Sequence, residues 1–116
     1  MATGKVDFFR ASWIADYPDA ENYLSLFYST NAAPNGPNYS HFASATYDSL
    51  YQLSASVVLD SLREELYQKM DSLVISEAPI VPLFYDQVLR FYPKSIKGLE
   101  GNALNLLDLK RVKKLN

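Results

Sequence analysis

Cysteine is absent from the 116 residues, which excludes a thiol nucleophile, a thiolate metal site and any disulfide. Histidine occurs once, as His41, so a metal site here would have to rest almost wholly on oxygen ligands. The four glycines, Gly4, Gly36, Gly98 and Gly101, fit neither a dinucleotide-binding G-x-G-x-x-G nor a P-loop. No serine lies in a G-x-S-x-G turn, so a Ser-His-Asp set drawn through His41 lacks its nucleophile elbow. No apolar run approaches the roughly 20 residues needed to span a bilayer. No apolar stretch of signal-peptide type follows Met1-Ala2-Thr3-Gly4-Lys5, which leaves a cytoplasmic protein or a natural N-terminus elsewhere. A net charge of −2 implies no general attraction to nucleic acid.

What is present is ordinary for one soluble domain: 48% hydrophobic and 21% charged residues, with nine Tyr and six Phe that mostly fill a core. Residues 6–15 alternate as an interior strand, with Phe8, Arg10, Ser12 and Ile14 on one face and Phe9, Ala11, Trp13 and Ala15 on the other. Asp19 can cap a helix over 20–28 with Tyr23, Leu24, Phe27 and Tyr28 as its stripe. Residues 29–42, with Pro34-Asn35-Gly36-Pro37 as turn, form a long loop. Ser44 can cap a second helix over about 45–55, facing Tyr47, Leu50, Tyr51 and Leu53 inward. A third follows, with Leu59, Leu62, Leu66, Met70, Leu73 and Val74 inward and Glu64, Glu65, Lys69 and Asp71 on the wet side. Asp60 or a Ser61-x-x-Glu64 capping box can start it, and Pro79 ends it. Strands are expected over 80–85, 88–92 and 104–109, with a turn-like link at 95–99 and a solvated basic tail over 110–114. The class is therefore α+β, about three helices packed on a few short strands.

The feature with most chemical content is Ser12-Trp13-Ile14-Ala15-Asp16-Tyr17-Pro18-Asp19, where a strand ends in a carboxylate. A strand that ends in a sharp turn puts its last side chains at a sheet rim, where ligands are commonly bound. Asp16 can hold an ammonium or other cation, and Trp13 offers a flat apolar face with one N–H donor. Read from the residues alone, Asp19 caps a helix, Asp16 faces either water or a ligand, and residue type places Trp13 in the core.

The run from Ser12 to Leu24 is similar to the W-x-A-D-Y-x-D-P-x-N-F-L segment of family 5 extracellular solute-binding proteins, the oligopeptide- and dipeptide-binding receptors of bacterial ABC importers. Five further segments follow in the family's order: Asn38-Tyr39-Ser40-x-Phe42, Tyr47-Asp48-x-Leu50, Arg63-x-x-Leu66-Tyr67, Glu77-Ala78-Pro79-Ile80-Val81-Pro82-Leu83-Phe84-Tyr85 and Lys97-Gly98. The family's D-P is Asp19-Ala20 here.

The resemblance implies a binding protein and no enzyme, with no catalytic residue, cofactor or metal. In it Asp16 holds the ligand's α-amino group and Trp13 lines the cleft, with Ala15, Tyr17, Asn38 and Tyr39 around them. Family members are several times longer and two-lobed, so the chain reads as a C-terminal fragment of such a periplasmic-binding-protein-like fold, contributing to both lobes. The implied partners are a peptide or other small ligand and, through the full-length protein, a membrane permease. The implied location is the periplasm or the surface of a bacterium as a lipoprotein. Relatives that take nickel, haem or sugars leave a non-peptide ligand open, and a stand-alone interaction domain is the reading from a different class. Strand edges and Phe/Tyr-rich faces left unpaired in a fragment further imply self-association by strand exchange.

Overall fold

The computed structural model describes residues 5–85, 87–102 and 106–115. Helix α1 is one turn, Glu21–Leu24, and continues as a 3₁₀ turn over Ser25–Phe27; a second 3₁₀ turn covers Ser29–Asn31. Helices α2, Ala45–Ser56, and α3, Asp60–Glu77, follow, and then two short strands, β1, Ile96–Lys97, and β2, Lys113–Lys114. The strands pair antiparallel, with Ile96 opposite Lys114 and Lys97 opposite Lys113. Among the described residues, three helices and a two-stranded sheet make the class α+β, as expected, but the helices pack on one another and the strands on each other.

The helices sit where their patterns put them. Ser44, with extended backbone, accepts the Tyr47 N–H on its hydroxyl at 3.5 Å and starts α2. The expected cap of α3 is not formed: Leu59 takes the N-cap position, and Asp60 becomes the first helical residue, 3.5 Å from Arg63. An acid there still favours the positive end of the helix dipole. At the other end Ala78 turns left-handed, φ 50°, and its N–H reaches the Val74 carbonyl at 2.8 Å; Pro79 forbids another turn.

These elements close an apolar core of Leu24, Phe27, Phe42, Tyr47, Met70 and Val74, with Leu66 buried one turn before Met70 in α3. Phe27, Phe42 and Tyr47 meet edge to face, with ring centroids 5.6–6.3 Å apart. The Tyr47 hydroxyl donates to the Leu24 carbonyl at 2.7 Å, so its burial leaves no polar atom orphaned. Leu53, Leu59 and Leu62, expected inward, are exposed; they lie around the α2–α3 connection and are not part of the core cluster. Asp48 on α2 accepts both the N–H (3.0 Å) and the hydroxyl (2.5 Å) of Ser29, which ties the start of the loop to the helix. Within the loop, Ala32 and Asn38 form a parallel bridge around the Pro34–Pro37 turn. A Cβ on Gly36 would lie 2.3 Å from the Asn31 carbonyl oxygen, so the backbone passes there only because the side chain is a hydrogen.

The strands expected over 6–15, 80–85 and 88–92 are not formed: those segments carry no ladder. Part of the strand expected over 104–109 lies outside the described residues, and 106–109 forms none. An alternating apolar pattern becomes a strand only when a neighbour supplies the ladder, and no described residue does so here. The link at 95–99 and the basic tail hold β1 and β2 instead. Gly98, at φ 77°, lets the Arg111 carbonyl approach to 2.3 Å from where a Cβ would stand, and Leu115 N–H extends the ladder to the Ser95 carbonyl at 2.7 Å. The radius of gyration, 18.2 Å, exceeds the value of about 13 Å for a compact domain of this length, because the flanking segments extend away from the helices.

Candidate functional site

Asn22 is the residue that builds the site, and its weight was not read from the sequence. It lies in α1, 3% exposed. Its side-chain oxygen accepts the Trp13 indole N–H at 2.7 Å and the Asp16 backbone N–H at 3.2 Å. A single acceptor therefore fastens residues 13–16 to the first helical turn. Trp13 is held at that edge with 36% of its surface exposed, so it lies neither in the core nor free in solvent. Ala15 is half-buried between Trp13 and Asp16. The Asp16 side chain is exposed and has no hydrogen-bond or ionic partner among the described residues.

The neighbouring carboxylates are occupied. Asp19 accepts the Glu21 N–H at 2.9 Å and the Tyr67 hydroxyl at 3.1 Å, and stands 3.4 Å from the Arg63 guanidinium. The helix expected over 20–28 with Asp19 as its cap is instead one turn, Glu21–Leu24, with Ala20 as N-cap residue, and Asp19 bonds the first helical N–H from one residue farther out. The Arg63 pair is partly exposed and contributes little by itself, about 0–1 kcal/mol. Glu21 accepts the Tyr17 hydroxyl on one oxygen and the Tyr51 hydroxyl on the other. Tyr51 stacks on Tyr28, with centroids 4.6 Å apart.

The phenols register these contacts. The hydrogen bond to Glu21, then burial, raises the Tyr17 pKa, and the Asn22 amide opposes that rise. Burial first, then the bonded Glu21 carboxylate, holds the Tyr51 phenol well above its ordinary value. The Tyr67 phenol is pushed up to about 12 by burial and by its bond to Asp19. Of the acids at this end of the helices, Asp19 and Glu21 are fixed by the fold, and Asp16 presents its charge outward.

Asn38 and Tyr39 stand apart from this group. Asn38 is fully buried; its amide donates to the Tyr28 and Phe42 carbonyls at 3.2 and 2.9 Å, and its oxygen accepts the Ser40 hydroxyl at 2.8 Å. Tyr39 is half-buried beside it. No hydrogen bond or ring contact joins either residue to residues 13–17 among those described. His41 is exposed at φ 53°, and its backbone N–H reaches the Asn38 carbonyl at 3.4 Å. An open depression lined by Glu65, Gln68, Lys69, Ser72, Leu73 and Ser76 includes none of the site residues. No group of three or more potential metal-ligating side chains occurs among the described residues. No helix among them is long and apolar enough to cross a membrane. The arrangement can bind a cation at Asp16 beside an apolar indole face.

Over 91% of its length the chain is 26% identical to a dipeptide-binding protein of Bacillus subtilis, of which it spans 19%. Over 84% of its length it is 30% identical to a periplasmic oligopeptide-binding protein of Salmonella typhimurium, of which it spans 17%. A probable deoxycholate-binding periplasmic protein of Escherichia coli is 27% identical over 77% of the chain and 16% of its own length. The chain thus spans about a fifth of the length of the curated relatives it matches. No family model and no solved structure matches it.

Proposed function

We propose that this chain, which resembles family 5 dipeptide- and oligopeptide-binding receptors over most of its length, forms the C-terminal wall of such a receptor's peptide site. In this reading Asp16 holds the α-ammonium of a peptide and the Trp13 face lies along it. Tyr17 and Ala15 complete the near wall, Tyr39 belongs to the wall across the loop, and the buried Asn38 holds that loop in shape. The receptor captures its ligand by closure of two lobes, to both of which the chain contributes, and delivers it to the permease of an ABC importer. It works in the periplasm or as a surface lipoprotein.

The observation that carries the reading is the contrast among the carboxylates: Asp19 and Glu21 are occupied by the fold, whereas Asp16 is held at its backbone and free at its charge. An ammonium taken from water needs an anionic partner of that kind. A second reading, a non-peptide ligand, is favoured by the deoxycholate-binding relative. Asp16 separates the two, since a carboxylate attracts an ammonium and repels an anionic sterol.

The test is calorimetry on the full-length polypeptide that carries this chain, with trialanine, N-acetyl-trialanine and deoxycholate. Asp16→Ala is expected to cost about 2–5 kcal/mol of trialanine affinity, and acetylation about as much. Unchanged trialanine affinity would refute the assignment, and deoxycholate binding that survives Asp16→Ala would establish the second reading.

A further inference from the structure

We propose that Asn22 is the positioning residue of this site, and that it restricts the ligand groups Trp13 can accept. The proposal rests on the peptide-site reading above and deepens it. Asn22 touches no ligand in this scheme and acts through the two groups it holds.

The argument starts from hydrogen-bond capacity. An indole has one donor and no acceptor. At Trp13 that donor is spent inward, on the Asn22 side-chain oxygen at 2.7 Å. Trp13 therefore offers a ligand its ring face and edge, with no hydrogen bond. Groups that suit the face are apolar side chains and cations; a ligand acceptor placed against the ring edge would lose its water without a donor in return. The same Asn22 oxygen accepts the Asp16 N–H at 3.2 Å, so the carboxylate and the indole are set relative to each other by one atom. That atom is buried with a residue only 3% exposed, on a helical turn that also contributes Leu24 to the core. The pin is thus rigid, while the parts it holds face outward. A charge placed over an indole depends on such fixed geometry, because the attraction fades when the ring turns edge-on.

Trp13 is the sole tryptophan of these 116 residues, and its emission and indole N–H, assigned in the longer polypeptide by their loss in Trp13→Phe, report on the pin directly. In the full-length polypeptide, Asn22→Leu keeps the size and removes the acceptor. It is expected to speed solvent exchange of the indole N–H, shift the emission to longer wavelength and weaken trialanine binding about tenfold, as for one lost hydrogen bond. Asn22→Asp keeps the acceptor and should restore all three. Should Asn22→Leu fail to fold, benzothienylalanine in place of Trp13 removes only the N–H from a residue outside the core, with the same loss of affinity expected. An indole signal unmoved by Asn22→Leu would overturn the proposal. So would a moved signal with unchanged trialanine affinity in a protein where Asp16→Ala abolishes binding. Affinity unchanged in both variants would overturn the peptide-site reading and the positioning role with it.

Discussion

Residues 20–78 and the segments on either side of them have similar apolar content and very different fates. Between 20 and 78 the inward-facing side chains find one another: Tyr47 and Met70 are fully buried, and Leu24, Phe27 and Phe42 close around them, while Leu53, Val58 and Leu59 stay exposed. In the flanking arms Phe8 is 86% exposed and Phe91 93%, and no ladder joins segments 6–15, 80–85 and 88–92. A cation–ring contact between the arms places the Arg10 guanidinium 5.7 Å from the Phe84 centroid. The difference lies in closure. A helix satisfies its own backbone and needs a partner for one stripe only, whereas a strand needs a partner for its backbone as well.

The comparison breaks most readily at the core. Met70→Ala should cost about 2–5 kcal/mol in urea denaturation followed by helical circular dichroism. A cost under about 0.5 kcal/mol, the range of surface changes, would mean that residues 20–78 have no core of their own. Tyr47→Phe should cost about 1–3 kcal/mol, because it leaves the Leu24 carbonyl without its buried donor. Alkaline titration sharpens the contrast further. Tyr67 has a folded pKa raised above its unfolded value of 10, so its contribution is fully present below pH 10 and is lost as pH rises toward about 12. Tyr67→Phe should flatten the stability loss across that window. Ala78→Gly should stabilise by up to about 1 kcal/mol, since a left-handed backbone strains any residue with a Cβ. In the arms, Leu89→Ser with Phe91→Ser should change helix stability by less than about 0.5 kcal/mol. The same pair should lower the self-association expected of the isolated chain by light scattering; scattering that stays monomeric at high concentration would remove that expectation.

The two long helices were legible because their stripes repeat over three or more turns, and the Ser44 cap and the stop at Pro79 are local chemistry. The arms were misread for a reason also visible in Phe8 and Phe91: strand propensity describes how well a residue fits a sheet, and says nothing about whether the sheet is at hand. Asp16 and Trp13 stand out in the sequence, but residue type alone puts Trp13 in a core and only the resemblance puts it in a cleft. The missing information was the acceptor nine residues on. One signal for Asn22 was available: a poor helix former between Glu21 and Tyr23, inside a helical turn, must find bonds for its amide elsewhere. Asn38 enters the site only through the resemblance; the Tyr28 and Phe42 carbonyls that its amide satisfies are what call for a buried amide there.

Gly36 carries a consequence for the tolerance of the loop to sequence change. Its φ is not in the left-handed region, so dihedral preference alone would admit alanine; the obstacle is the Asn31 carbonyl oxygen, 2.3 Å from the missing Cβ. In a library of all twenty residues at this position, the survivors should sort by volume alone, with a cut-off between hydrogen and methyl.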